Sequence, residues 1–294
     1  MMKILFQNHN TNLRAIFLVC AVTLLAGCNQ QNYSSPEGYD LSKPQLMQLG
    51  KVLNEISGIT YNTENNTLLA VSDSKEKVFE INIERRKLKD FTERVVGSRS
   101  DLEDIVKVDS GIFLLSSHGI LYQIPSLKHV DTAQSKSFSF SADIKNDFES
   151  IYYDVSINGL VILCKTCASS KEGTHPAYRF DLSKKKFDST ALYTIDDKDV
   201  QAKLKDNGAK FLPSAAAIHP ITKKLFILAS AGNLLVIADR QGQPLEAYHL
   251  NPNNFPQAEG IAFAPNGDMY ISNEGKYGGK ATLQIFPYHT STKK

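Results

Sequence analysis

The stretch that decides the fold is Gln257–Gly275, QAEGIAFAPNGDMYISNEG. It opens with an acid and a glycine, runs through a short apolar segment to a Pro-Asn-Gly turn, and ends in polar residues after a second apolar segment. An Asn-Gly pair supplies the positive φ angles that a tight hairpin needs. The stretch therefore predicts a β-hairpin whose turn is Pro265-Asn266-Gly267.

The same pattern occurs four more times along the chain. The residue before each first apolar segment serves as an anchor, and the anchors are separated by 46, 46, 65 and 45 residues. A repeat of this length built only of strands is typical of propeller blades. We predict an all-β fold, a β-propeller with five blades, and six blades remain open because the longest step could contain further strands. The anchors are Ser57, Glu103, Glu149, Ser214 and Glu259.

The last unit lacks an outer strand. Its predicted strands are Ile261–Ala264, Met269–Ser272 and Thr282–Phe286. The segment Gln45–Leu53 precedes the first unit and has no partner there. We predict that it joins the last blade, because this pairing closes the ring and protects its edge.

Residues 1–27 are predicted to form a signal peptide that is not part of the fold. Lys3 and Arg14 precede an apolar run, Ala15–Ala26, that is too short for a spanning helix. The run ends in Leu25-Ala26-Gly27-Cys28, which resembles a bacterial lipobox. We predict lipidation, including palmitate, at Cys28. The alternative is an ordinary signal peptide with an incidental cysteine.

The predicted location is the cell envelope, with a lipid anchor. Asn29 after the cysteine favours the outer membrane over the inner membrane by the sorting rule of enteric lipoproteins. Residues 28–44 are predicted to form a polar tether. Residues 45–294 are predicted to form a single propeller domain.

The mature chain has no charge excess. Loss of residues 1–27 removes two positive charges and no acid, so the formal net charge of +2 becomes zero. A neutral chain without a Lys/Arg run argues against a nucleic-acid partner. The predicted partners are the membrane, through the lipid, and an unidentified protein or small-molecule ligand.

Cys164 and Cys167 remain in the mature domain as Cys-Lys-Thr-Cys. The second pair that a structural zinc site needs is missing. In an oxidising compartment this spacing favours a local disulfide. Two free thiols and a redox function are the alternatives.

The long step between the third and fourth units contains DDKDVQAKLKDNG, Asp196–Gly208. Acids at its start, apolar residues four apart and a final glycine predict a short helix. It is either a simple loop excursion or a lid over the central channel.

Three of the repeated units resemble the SdiA-regulated (YjiK-like) domain family. They are NEISGITYNTENNTLLAVSDSKEKVFEIN, LPSAAAIHPITKKLFILASAGNLLVIADRQG and QAEGIAFAPNGDMYISNEG, and the resemblance spans residues 45–288. It implies a β-propeller. The family is named for a regulon rather than an activity, so it implies no catalytic residue.

The anchors define one rim of the predicted channel. We predict that Glu103, Glu149 and Glu259 hold a Ca²⁺ ion there, because oxygen donors suit Ca²⁺ or Mg²⁺ better than zinc. Two alternatives stay open: water and nearby Lys or Arg offset the acids, or the acids bind a cationic ligand. Further rim residues are Ser57, Ser214, Asp101 and Asp147, with Glu55, Leu212 and Gln257 beside them.

A second polar set follows the second strand of each unit. Because this strand runs antiparallel to the first, we expect the set at the opposite rim, away from the carboxylates. Ordinary loop polarity is the alternative explanation. The set comprises Asp73, Ser117, His118, Lys165, Ser230, Asn273 and Glu274.

No known catalytic motif occurs in the sequence: G-x-S-x-G, H-E-x-x-H, phosphate-loop and G-x-G-x-x-G patterns are all missing. We therefore predict a binding or scaffolding module without catalytic residues. The alternative is a metal-dependent hydrolase similar to propeller lactonases or phosphatases, which is an analogy of fold.

Overall fold

The computed structural model describes residues 33–90, 96–97, 100–109, 111–124, 135–140, 146–168, 170–275 and 279–290. The predicted signal peptide, Cys28 and the first part of the tether lie outside the described residues. The strands are β1 (Gln45–Gln48), β2 (Ile56–Asn62), β3 (Thr67–Ser72), β4 (Lys75–Asn82), β5 (Lys87–Asp90), β6 (Leu102–Val108), β7 (Gly111–Ser116), β8 (Ile120–Ile124), β9 (Lys136–Ser139), β10 (Asp147–Asp154), β11 (Gly159–Thr166), β12 (Thr174–Asp181), β13 (Lys186–Phe187), β14 (Tyr193–Asp196), β15 (Ala215–Ile218), β16 (Leu225–Ala229), β17 (Leu234–Ala238), β18 (Pro244–His249), β19 (Ala258–Phe263), β20 (Met269–Asn273) and β21 (Thr282–Phe286).

These strands form five antiparallel sheets. The first four blades are β2–β5, β6–β9, β10–β13 with β14 beside β12, and β15–β18, and the fifth is β19–β21 with β1. The inner strands β2, β6, β10, β15 and β19 are neighbours in a closed ring. The predicted five-bladed propeller is confirmed, and the described part of the chain contains no sixth sheet.

The predicted closure is also confirmed. Strand β1 pairs antiparallel with β21, with Gln45 opposite Ile285 and Gln48 opposite Thr282. The closing strand is shorter than the predicted Gln45–Leu53, because Lys51–Leu53 form a 3₁₀ turn. The ring is therefore sealed by main-chain hydrogen bonds between the two ends of the domain.

Hydrophobic clusters fill the space between every pair of neighbouring blades. Strands β16 and β17, LFILA and LLVIA, are buried along their whole length. A strand covered on both faces reads as a continuous apolar run rather than an alternating one. The blade faces are thus used for stability, and the strand ends and loops remain for function.

The turn at Pro265-Asn266-Gly267 differs in detail from the prediction. Gly267 has a φ of 94°, whereas Asn266 does not have a positive φ. The Gly267 N–H donates to the Ala264 carbonyl at 2.9 Å. Residues 264–268 connect β19 and β20, so the loop is longer than a two-residue hairpin and needs only one left-handed residue.

The predicted helix is present as α1 (Asp197–Leu204), and the Asp196 side chain accepts a hydrogen bond from the Lys198 N–H at its start. Helix α1 contacts β18 and β14, and Val200 is completely buried between the third and fourth blades. It contributes no residue to the channel mouth. The lid alternative is therefore wrong, because the apolar side of α1 packs on outer strands. Among the described residues, no helix is both long and apolar enough to cross a membrane.

The segment before β1 packs on the propeller. Tyr39 and Leu41 are 7% and 6% exposed and belong to the cluster between the fourth and fifth blades. The Tyr39 hydroxyl donates to the Gly267 carbonyl at 2.6 Å. These two residues lie within the segment predicted as a tether, and burial of their side chains stabilises its docked C-terminal part. The compact unit begins at Tyr33.

Candidate functional site

The inner strands carry a β-bulge at the anchor position in four of the five blades. In the register of β10 with β11, Phe148 lies opposite Cys164 and Ser150 opposite Leu163, so Glu149 is the extra residue. The same shift makes extra residues of Ser57, Glu103 and Glu259. A bulge re-aims the side chain of its extra residue. The repeated bulge therefore explains why these anchors converge on the channel.

The five anchors line a single cavity of about 200 Å³, which we call the mouth. It lies where the inner strands begin. Six of its lining residues are carboxylates and one is a lysine. The mouth is lined by Glu55, Ile56, Ser57, Asp73, Glu103, Glu149, Lys165, Ser214, Gln257, Glu259 and Glu274.

The second polar set was predicted at the opposite rim, and this prediction is wrong. Asp73, Lys165 and Glu274 line the same mouth as the anchors. In an antiparallel hairpin the start of the first strand lies beside the end of the second, so the two sets share one rim. Contacts join them directly, since the Ser230 N–H donates to Ser214 Oγ at 3.2 Å.

The two anchor serines bind the backbone of the next blade. Ser57 Oγ donates to the Leu102 carbonyl at 2.7 Å, and Ser214 Oγ donates to the Ala258 carbonyl at 3.0 Å. Each acceptor directly precedes the bulge of that blade. The serines therefore stabilise the ring, and the glutamates supply the charge.

Lys165 is the counter-charge of the mouth. Its ammonium donates to Glu149 Oε1, and the two side chains are 26% and 16% exposed. Burial lowers the pKa of Lys165, but its hydrogen bond and the charges of Glu149, Asp147 and Glu259 outweigh this effect and raise it. Lys165 therefore stays charged, and part of the acidity is offset, as one of the sequence-based alternatives proposed.

A network behind the mouth holds the main chain of Lys165. A disulfide joins Cys164 and Cys167 on either side of it, with Cα atoms 6.0 Å apart. His175 Nδ1 lies 3.0 Å from the Lys165 carbonyl, and its Nε2 lies 2.9 Å from Asp197 Oδ1 at the start of α1. Helix α1 thus helps to position Lys165 through His175, although the helix does not line the mouth.

The anchor carboxylates are held in a setting that disfavours their charge. Burial, and then the charges of Glu149, Asp101 and Asp147, raise the pKa of Glu103 to about 9. Burial raises the pKa of Glu149 to about 7 against the opposing effect of Lys165. Burial also raises the pKa of Glu259, although hydrogen bonds from Gln257 and Ser230 oppose the shift. Positive charge entering the mouth would reverse these shifts.

The second polar set adds further negative charge to the mouth. Burial, followed by the charges of Glu55 and Glu274, raises the pKa of Asp73 to about 6. Gln257 Nε2 donates to Glu274 Oε2 at the same rim. These residues therefore belong to the same charged cavity as the anchors.

Asp101 and Asp147 were predicted as rim residues, and they do not line the mouth itself. The Asp101 carboxylate accepts a hydrogen bond from Ser117 Oγ. Burial raises the pKa of Asp147, and Lys165 opposes the shift. Their charges still influence the mouth, because both of them raise the pKa of Glu103.

Asp104 is a buried acid that sequence analysis missed. It is 3% exposed. Its carboxylate accepts a hydrogen bond from the Ile105 N–H in its own strand at 2.8 Å and one from the Ile151 N–H at 2.9 Å, and the second of these ties the second blade to the third. A Cβ on Gly58 would lie 2.3 Å from Asp104 Oδ1, so only glycine fits there. The signal in the sequence was an acid directly after an anchor, inside an apolar strand.

The predicted metal residues lie around one cavity without forming a close ligand set. Among the described residues, no group of three or more His, Cys, Asp or Glu side chains is placed to hold a metal ion directly. The Ca²⁺ ion at Glu103, Glu149 and Glu259 stays a prediction.

Comparison with protein families gives one match. The family model described as SdiA-regulated matches residues 37–276. This confirms the resemblance seen in the repeated units, and the match begins within the docked segment before β1. Comparison with curated proteins finds no match.

Comparison with solved structures finds other propellers at low identity. Luciferin-regenerating enzyme has a TM-score of 0.50 and 10% identity over 83% of this chain and 95% of its own. The calcium-binding protein regucalcin from Agrobacterium tumefaciens has a TM-score of 0.50 and 14% identity over 87% and 96%. A gluconolactonase from Xanthomonas campestris has a TM-score of 0.49 and 10% identity over 89% and 100%. At these identities the likeness shows the fold alone.

Proposed function

The chain belongs to the SdiA-regulated family, and we propose that it is a lipid-anchored binding module of the cell envelope whose mouth takes a cation. The observation that carries this proposal is the charge balance of the mouth, with six carboxylates against one lysine around about 200 Å³. Such an excess is costly in a partly buried site unless positive charge enters.

Ca²⁺ is the ion that fits best. A cavity of about 200 Å³ has room for an ion with several waters, since a water occupies about 30 Å³. Ca²⁺ accepts six to eight oxygens at flexible positions and combines carboxylates with waters. A water-mediated shell suits carboxylates that are spread around the mouth. Regucalcin, a propeller of similar fold, is itself a calcium-binding protein.

Calorimetric titration of the purified protein with CaCl₂ tests this proposal. We expect heat of binding and a rise in melting temperature, because a ligand that binds only the folded state stabilises it. Glu149→Gln is expected to weaken binding about tenfold, which corresponds to about 1.4 kcal/mol.

Glu246→Gln is the matched control. Glu246 lies on the outer strand β18, where it pairs with Lys224 at 2.8 Å, so this variant should keep the affinity of the wild type. No heat and no thermal shift would refute the calcium site, and the metal-dependent hydrolase with it. Equal affinity of Glu149→Gln and wild type would place the ion elsewhere.

The anchor is tested separately. Cys28→Ser removes the predicted lipid attachment site and is expected to move the protein from the membrane pellet to the soluble fraction after cell lysis. Cys20→Ser, within the predicted signal peptide, is the matched control and should leave the protein in the pellet. Retention of the Cys28→Ser protein in membranes would contradict lipidation at this residue.

A further inference from the structure

The rim opposite the mouth, which we call the turn rim, is where the inner strands end. It is built by the loops that follow the inner strand and the third strand of the blades. Because all inner strands begin at the mouth, these loops share the far side of the ring. The described loops are residues 63–66, 83–86, 109, 155–158, 182–185, 219–224, 239–243 and 264–268.

The N-terminal segment enters the domain at the turn rim. The Tyr39 hydroxyl donates to Gly267, and the His289 N–H donates to the Gly38 carbonyl at 2.9 Å. Cys28 precedes Gly38 by ten residues, and such a length of chain reaches at most about 36 Å. If Cys28 carries a lipid, the docked segment links that lipid to the turn rim.

The charge of the turn rim suits an anionic surface. Its described loops contain seven Lys or Arg and five Asp or Glu, a small excess of cations, whereas the mouth has a large excess of acids. Arg85, Arg86, Lys184 and Lys223 are exposed there. Cations near a membrane are attracted by the negative potential of anionic lipids.

The turn rim also exposes apolar side chains. Val155 is 72% exposed and Ile221 is 46% exposed, and both lie in loops that follow inner strands. Exposed apolar residues among cations are typical of surfaces that enter the headgroup region. In solution these side chains contribute nothing to the hydrophobic clusters between blades.

We propose that the turn rim is a docking surface for an anionic lipid bilayer and holds the acidic mouth facing away from the membrane. The proposal rests on the lipid anchor of the proposed function. It adds an orientation: the mouth samples the aqueous side, and any ligand reaches it from there.

The chain contains no tryptophan, so a single introduced tryptophan reports its own surroundings. We compare Val155→Trp at the turn rim with Lys171→Trp, an exposed position in the loop between β11 and β12 at the mouth side. Each full-length lipoprotein is bound to vesicles of phosphatidylcholine and phosphatidylglycerol that carry brominated acyl chains. We expect a blue shift and loss of fluorescence for Val155→Trp, and neither for Lys171→Trp.

Charge variants test the lipid preference. Arg85→Gln with Arg86→Gln should reduce the quenching of Val155→Trp on anionic vesicles, whereas Lys75→Gln with Lys171→Gln at the mouth side should not. Equal quenching with and without phosphatidylglycerol would overturn the electrostatic part of the proposal.

Two outcomes would overturn docking and are distinct from failure of the anchor. Quenching of Lys171→Trp in place of Val155→Trp would reverse the orientation, and quenching of neither in vesicle-bound protein would show that the domain is held off the bilayer. Protein that does not sediment with vesicles at all would overturn the anchor and docking together. None of these vesicle experiments requires bound calcium. Their outcomes therefore test docking independently of whether the calcium site exists.

Discussion

Both rims of the propeller contain ionisable side chains that are at least half-buried, and the surroundings of these side chains differ between the two rims. At the turn rim, His219 is completely buried. Its Nδ1 accepts hydrogen bonds from the N–H groups of Ile221 and Thr222 at 3.1 Å each. Its Nε2 therefore carries the proton and donates to the Tyr39 hydroxyl at 2.7 Å. Every polar atom of this cluster has a partner, and the imidazole is neutral.

At the mouth, by contrast, carboxylates face one another across a cavity. Lys165 offsets only part of their charge. The cluster of His219 and Tyr39, in which every polar atom has a partner, holds the N-terminal segment in place. The mouth, in which negative charge is left uncompensated, is where a cation would be bound. The difference shows that burial alone does not mark a functional site, because the surrounding partners decide whether charge is still required.

The two rims also respond to pH in opposite directions. Burial lowers the pKa of His219 to about 4, so its contribution to stability is present above the ordinary His value of about 6.5 and is lost as the pH falls toward 4. The raised pKa of Glu103, about 9, gives a contribution that is present below the ordinary Glu value of about 4.3 and is lost as the pH rises through 9.

The largest expected effect comes from breaking the satisfied rim. Tyr39→Ala should lower the free energy of unfolding by about 3–5 kcal/mol, the range for truncation of a buried aromatic side chain. The ring packs against Tyr288 and His219 at centroid distances of 5.3 Å and 6.0 Å. Chemical denaturation measures the change, and calcium affinity should not move.

Tyr39→Phe separates the ring from its hydroxyl. It should cost about 1–3 kcal/mol, because His219 Nε2 loses its acceptor and the Gly267 carbonyl its donor. Unchanged stability in both variants would contradict the docked position of the N-terminal segment.

A smaller change in stability is expected when one acid of the mouth is replaced by a neutral side chain. Glu103→Gln should stabilise the protein by about 1–3 kcal/mol at pH 8–9 relative to wild type, and the difference should vanish near pH 4, where the wild-type acid is protonated in both the folded and unfolded states. Melting temperatures across this pH range give the measurement. Parallel pH profiles of the two proteins would show that the Glu103 carboxylate is not buried as described.

The smallest expected effect concerns the counter-charge. Lys165→Met keeps the aliphatic stem and removes the ammonium that competes with a bound cation, so calcium affinity should rise by about tenfold or less, within about 1.4 kcal/mol. Lys224→Met, which breaks a pair with Glu246 away from the mouth, is the matched control. Weaker calcium binding in Lys165→Met would contradict competition by the ammonium and would indicate that Lys165 instead holds Glu149 in position for the ion.

The carboxylates of the mouth were predictable from the repeats, but their surroundings were only partly so. Glu103, Glu149 and Glu259 were found because each precedes an apolar segment at the blade period. The bulges that aim them cannot be read from alternation, since one extra residue looks like any other position in a short strand. The pairing of Lys165 with Glu149 was missed because the end of the second strand was assigned to the wrong rim.

The docked N-terminal segment was missed for a different reason. Residues 28–44 are polar on average, and this average concealed Tyr39 and Leu41. Two apolar side chains in a polar stretch are a weak signal, and their burial depends on a groove between the fourth and fifth blades that exists only in the folded domain.

The sequence by itself determined the propeller fold, the anchor positions and the strand that closes the ring, and it favoured five blades over six, because the hydrophobic period and the repeat length can be read directly from the order of residues. Only the tertiary structure decided which charges meet. The anchors of the mouth lie 45 or more positions apart, and their interaction depends on distance and burial across five inner strands. The raised pKa values of the carboxylates and the partial offset by Lys165 follow from that convergence, and the burial of Tyr39 and Leu41 depends on the groove between the fourth and fifth blades.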